Sequence, residues 1–223
     1  MKNGESHKSE VWDIYIRIFH WLLTFFVLTS FISIKYFDSL TVHFISGYCI
    51  VGLLVFRLVW GLFGSETARF KNFVKGPLAI VDYLKSLKNT PEHIASYGHS
   101  PIAAVSIMAM LFILIAQVFS GLFYYDEEIF LEGPLARYGS DFLLDNASYY
   151  HPIGANLVML IIAVHLLAIA IYYIFFKQNL ITPMIVGWRK SAEKKTLKVK
   201  HIGAFLCILS AFGVVAFVLF FSG

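Results

Sequence analysis

Charged residues are scarce: Asp, Glu, Lys and Arg make up only 14% of the 223-residue chain. A soluble domain carries about 25%, so the deficit excludes an ordinary water-facing surface and points to a chain that meets lipid. Cysteine is scarcer still, with Cys49 and Cys207 alone. Two distant thiols and no C-x-x-C-H exclude covalent haem attachment, a thiolate zinc centre and an iron–sulfur cluster. They are read as small packing residues. No internal repeat or pair of broken helices is present, so nothing favours a repeat-built transporter. The length leaves no room for a separate soluble domain beside one compact bundle.

What fills the chain is apolar: 58% of residues are hydrophobic and 17% aromatic. Five stretches, roughly 12–34, 42–63, 101–125, 152–176 and 202–221, reach the ~20 residues that cross a hydrocarbon core as helix. Helix is required there, because an open strand edge leaves polar backbone unsatisfied in lipid. The first stretch is too long for a signal h-region and lacks a small-residue cleavage site. The expected fold is an all-α integral membrane protein with a four-helix transmembrane bundle, residues 1–190, and a fifth C-terminal helix appended in 191–223.

The net charge of +4 marks topology and excludes a nucleic-acid footprint by its placement. Lys2, Lys8 and Arg17 precede or open the first span. Arg57, Arg69, Lys71, Lys75, Lys85 and Lys88 lie at or after the end of the second. Lys177, Arg189, Lys190, Lys194, Lys195, Lys198 and Lys200 separate the fourth from the fifth. All fall on one side, against Lys35 and Arg137 on the other. By the positive-inside rule the N-terminus is cytoplasmic and the C-terminus periplasmic. The inner stretch "ARFKNFVKGPLAIVDYLKSL" reads either as an interfacial amphipathic helix broken at Gly76-Pro77 or as a solvated connector. In "YGHSPIA", Ser100 caps a helix that begins at Pro101. The third loop, about 126–150, is outer and acidic.

Histidines inside apolar spans are costly and are functional candidates by default, though a single one is more often a hydrogen-bonded core residue. Four here pair by depth. His20 and His165 lie roughly 12–17 Å inside the cytoplasmic boundary. His43 and His151 open the second and fourth spans on the outer side. His151 and His165 are fourteen residues apart, about four helical turns, so they share a face. His43 and Arg57 repeat that spacing. Two sites, each with two imidazoles from facing helices, suit two non-covalent bis-histidine b haems in a helical core. The inner iron would take His20 and His165, the outer His43 and His151. Arg17 and Arg57 are placed for inner-haem propionates, and Gly47, one turn after His43, clears space for a porphyrin. His7 reads as part of a solvated tail, and His93 as an inner-loop residue. His99 is read as a quinone or propionate contact or as an interfacial residue, and His201 as interfacial. Either displaces His20 as ligand if the span boundaries shift.

"VWDIYIRIFHWLL", "HFISGY", "FRLVWGLFG", "YGHSPIAA", "SGLFYYDEE", "HPIGAN…VHLLAIAIYY" and "NLITPMIVG" resemble, in order, the bacterial cytochrome b561 and Ni,Fe-hydrogenase b-type cytochrome family, from about residue 11 to 190. The resemblance implies a di-haem electron carrier of the inner membrane with the same four ligands. Electrons would pass between quinone and a periplasmic redox protein, such as a c-type cytochrome or a hydrogenase-like subunit. A second reading is a superoxide:quinone oxidoreductase, as some relatives are. A third is a haem-free structural or transport protein. The outer loops carry Lys35 and Arg137 against seven carboxylates, leaving −5, which repels superoxide and attracts a basic protein. Asp126, Glu127, Glu128 and Glu132 are the expected docking cluster.

Overall fold

The computed structural model describes residues 7–89, 98–191 and 194–221. In chain order come β1 (His7–Glu10), α1 (Ile14–Phe37), α2 (Leu40–Phe63), α3 (Phe70–Phe73), α4 (Pro77–Asn89) and α5 (Pro101–Leu122). β2 (Tyr125–Asp126), β3 (Leu131–Glu132), α6 (Asp141–Ile174), α7 (Ile181–Val186), β4 (Trp188–Ser191) and α8 (His201–Phe221) follow. α1, α2, α5, α6 and α8 are long and apolar enough to cross a membrane. The chain is therefore an all-α membrane protein, four spanning helices and a fifth at the C-terminal end. Large apolar side chains such as Phe25, Phe112, Leu166 and Phe205 stand exposed on the helices, as a hydrocarbon solvent allows.

Local chemistry sets the helix starts. Asp13 caps α1, its Oδ1 accepting the Ile16 N–H at 2.9 Å. Ser100 caps α5 through the Ala103 N–H at 3.2 Å, and Pro101 is the first helical residue. Pro77 opens α4 directly after Gly76, at the break read from the sequence.

The fourth span departs from expectation. Its helix begins at Asp141, so His151 and Pro152 lie inside α6. A proline after a polar loop reads as a helix start, but an interior proline is tolerated where neighbouring groups satisfy the freed backbone. The polar turns before it are held from outside: Ser148 Oγ accepts the Tyr125 N–H at 2.8 Å and donates to the Tyr125 carbonyl at 2.7 Å. The acidic loop is correspondingly shorter and holds the β2–β3 hairpin.

The segment before α1 forms a strand. β1 pairs antiparallel with β4, His7 opposite Ser191 and Glu10 opposite Trp188. Lys8 Nζ lies 4.2 Å from the Trp188 ring centre. Glu10 Oε2 accepts the Leu197 N–H at 2.7 Å. His7 is thus a half-exposed strand residue. His93 lies outside the described residues.

The chain divides into two compact units. One comprises the chain up to His20, Arg57–Met108 and His165–Phe205. The other comprises Trp21–Phe56, Ala109–Val164 and the chain from Leu206. α8 is built into both: Ala204 and Cys207 are buried, and a Cβ on Gly52 of α2 would lie 3.2 Å from Val215 Cγ2.

Candidate functional site

In the second unit, α2 and α6 bring the rings of His43 and His151 together edge to face. Their ring centres lie 6.0 Å apart with the planes at 89°. Each ring is held by its Nδ1. His43 Nδ1 lies 3.1 Å from the Ser30 carbonyl and 3.0 Å from Ser30 Oγ. His151 Nδ1 lies 3.1 Å from the Gln117 carbonyl and 3.1 Å from Ser120 Oγ. A carbonyl only accepts, so the Ser30 contact favours the His43 proton on Nδ1; His151 Nδ1 meets the Gln117 carbonyl and, at 3.2 Å, the Gln117 Nε2 donor as well. Such a carbonyl anchor is the usual second partner of a metal-binding imidazole. A metal–imidazole bond of about 2.0 Å and about 1.1 Å from nitrogen to ring centre, on each side, give a spacing of about 6 Å. The observed spacing of the ring centres matches that of two imidazoles sharing one metal ion.

Two glycines shape the surroundings. Gly47, four residues after His43 and so on the same helical face, would meet nothing within 4 Å of an added Cβ. Gly121 of α5 does the opposite: a Cβ there would lie 2.8 Å from His151 Cε1, so glycine lets the imidazole rest on the backbone. Gln117 Nε2 also donates to the His151 carbonyl at 3.0 Å. Ser30, Gln117, Ser120 and Gly121 were not singled out from the sequence. Their signal was a hydroxyl or amide inside an apolar span, which rarely goes unused.

In the first unit, His20 and His165 lie within electrostatic reach of each other. The two alternatives to His20 have these surroundings. His99 is packed between Trp12 and Phe73, with ring centres 4.4 Å away on each side. Burial, and then the charge of Arg57, push its pKa down to about 3, so the imidazole is neutral. His201 Nδ1 lies 2.8 Å from Tyr15 Oη. Arg57 is buried, donates from Nη1 to the Ala68 carbonyl at 3.2 Å and lies 4.5 Å from the Phe70 ring centre. The Asp13 carboxylate, also buried, is within electrostatic reach of it and accepts from Trp60 Nε1 at 3.2 Å and from Ser65 Oγ. Each of these two buried charges moderates the burial cost of the other. The Arg17 guanidinium packs on Gly187, beside a cavity of about 420 Å³ lined by Glu10, Trp12, Arg17, Trp188 and His201 among others.

The hairpin carries the acidic cluster, and its four carboxylates divide by role. Asp126 is structural: its Oδ1 accepts the N–H groups of Glu128 at 3.0 Å and Ile129 at 3.4 Å. Glu127, Glu128 and Glu132 are exposed. Tyr124 joins the hairpin to the histidine pair, its ring centre 5.8 Å from that of His151 and its hydroxyl donating to Asp126 at 3.4 Å. The Tyr125 phenol is pushed up, first by Glu127, as a negative field requires.

Residues 11–187 match the family described as Prokaryotic cytochrome b561. No curated protein and no solved structure matches the chain.

Proposed function

The chain belongs to the prokaryotic cytochrome b561 family, and from that premise we propose a di-haem electron carrier between a periplasmic redox protein and the quinone pool of a bacterial inner membrane. The family and the five spanning helices make it a membrane b-type cytochrome of electron transfer. The finer reading rests above all on the His43–His151 pair: two imidazoles with ring centres 6.0 Å apart, both with Nδ1 beside a backbone carbonyl.

A bound b haem supplies one-electron chemistry at its iron. The residues of the chain do the rest. The Ser30 carbonyl favours the Nδ1 proton of His43 and raises its basicity as a ligand. Gly47 leaves the face of α2 clear. His20 and His165 form the second pair, with Arg17 and Arg57 supplying cations for propionates. The Arg17–His201 cavity supports the quinone half of the reading, because the walls of Trp12 and Trp188 suit a flat ring and Arg17 and His201, beside the acids Glu10 and Asp13, offer groups for its carbonyl oxygens. We assign residues 1–190 to the haem domain and 191–223 to the appended helix. The lysine and arginine bias puts the N-terminus in the cytoplasm and the C-terminus in the periplasm.

The partner is proposed to be a basic soluble redox protein that docks on the hairpin. The superoxide reading is weaker, because exposed Glu127, Glu128 and Glu132 repel an anion beside the same histidine pair. Purified protein assayed by pyridine haemochrome should hold about two b haems per chain, and a reduced-minus-oxidised spectrum should resolve two components. A ratio near one rejects the paired assignment. A ratio of zero restores the haem-free reading.

A further inference from the structure

Three side-chain nitrogens and oxygens around Arg57 are buried and, among the described residues, have no hydrogen-bond partner: Thr67 Oγ1, Arg69 Nε and His99 Nδ1. Leaving a buried donor unsatisfied costs about 1–3 kcal/mol, so three in one neighbourhood demand an account. They are close together. Arg57 bonds the Ala68 carbonyl, between Thr67 and Arg69. A Cβ on Gly98, next to His99, would lie 3.8 Å from Thr67 Cγ2. Phe70 and Phe73, ring centres 5.9 Å apart, carry Arg57 and His99 respectively. Thr67 itself is 6% exposed, too deep to rely on bulk water.

Hydroxyl, guanidinium and imidazole donors around a buried arginine are what a carboxylate needs: two oxygens and about four lone-pair sites. We propose that Thr67, Arg69 and His99 complete, with Arg57, a binding site for a propionate of the haem held by His20 and His165. This rests on the haem reading above, adds Thr67 and Arg69 to it and takes the propionate reading of His99. The site sits on the α2–α3 connection and the lead-in to α5. Its chemistry also suits a lipid phosphate, and the test separates the two.

Thr67→Val keeps the shape and removes only the hydroxyl. If that hydroxyl is an orphan, the change raises thermal stability and alters nothing else. If it holds a propionate, the variant releases one haem about tenfold faster, as the loss of one charge-assisted bond implies. It also shifts the redox-linked carboxyl bands in the infrared difference spectrum. Arg69→Gln should do the same and lower the midpoint potential of that haem, since a nearby cation favours the reduced form. Thr67→Ser should behave as wild type, and the haem on His43 and His151 is the internal control. Unmoved carboxyl bands and haem retention in both variants, with two haems in the wild type, overturn this inference alone. Loss of co-purified phospholipid phosphorus without a haem effect overturns it in favour of a lipid phosphate. Wild type without any b haem overturns the function reading and this inference with it.

Discussion

Gly47→Leu separates folding from cofactor binding. Gly47 sits in the middle of α2, on the face of His43, with nothing within 4 Å of an added Cβ. In the apoprotein the leucine Cβ meets nothing within 4 Å, and relief of glycine's backbone entropy should stabilise the helix by roughly 0.5–1 kcal/mol. If a macrocycle occupies that face, the same side chain collides with it. Overpacking costs about 1–3 kcal/mol, so haem affinity at that site should fall about 5- to 150-fold at about 1.4 kcal/mol per tenfold. The two effects have opposite signs. Thermal unfolding of haem-free protein should show Gly47→Leu at least as stable as wild type. The haemochrome ratio of protein purified with haem should drop from about two toward one, and the spectral component on His43 and His151 should be the one lost. Retention of two haems with unchanged spectra would show that the open face of α2 is not where the macrocycle lies.

His165→Ala and His43→Ala should each remove a different spectral component, and loss of the same component in both would refute the pairing. Glu127→Gln, Glu128→Gln and Glu132→Gln together, with the turn-forming Asp126 left in place, should slow reaction with a basic c-type cytochrome several-fold at low salt, charged rims acting mainly on association. The difference should fade near 0.15 M, where the screening length is roughly 8 Å; stopped-flow rates equal to wild type at low salt refute docking. Tyr83 of α4 shares a hydrogen bond of 3.1 Å with Tyr172 of α6, so Tyr83→Phe should cost about 0.5–1.5 kcal/mol. Burial, and then that bond, push the Tyr83 phenol up to about 12. The unfolded chain loses this proton first, so stability should decline as pH rises from about 10 to about 12. Tyr83→Phe should flatten that decline in detergent melts, and an unchanged slope refutes it.

The spanning helices were legible because hydrocarbon demands long apolar runs, and the caps at Ser100 and Pro77 because they depend on adjacent residues. The start of α6 was not. Pro152 after a polar loop imitates a helix beginning, while the cause of its interior position, the Ser148–Tyr125 staple, is a tertiary contact. The β1–β4 ladder was equally hidden, since four-residue strands gain their identity from distant partners. Of the site, the histidines announced themselves by their cost in lipid. Their anchors on Ser30 and Gln117, and the buried donors of Thr67 and Arg69, arise only when helices and loops approach each other. Asp13 stands between: an acid just before an apolar run is a visible N-cap, but its bonds to Trp60 and Ser65 are not.

A backbone ladder cannot reach through a bilayer. Since His7–Glu10 pairs with Trp188–Ser191, the chain must pass the membrane an even number of times between them. α1, α2, α5 and α6 supply four passages, a parity that holds whatever the distribution of lysine and arginine. The pairing also orders events during synthesis. β1 leaves the ribosome first, and its partner follows about 180 residues later, roughly 10–40 s at about 5–20 residues per second. Only a nascent chain whose fourth helix has returned to the starting side can close the ladder.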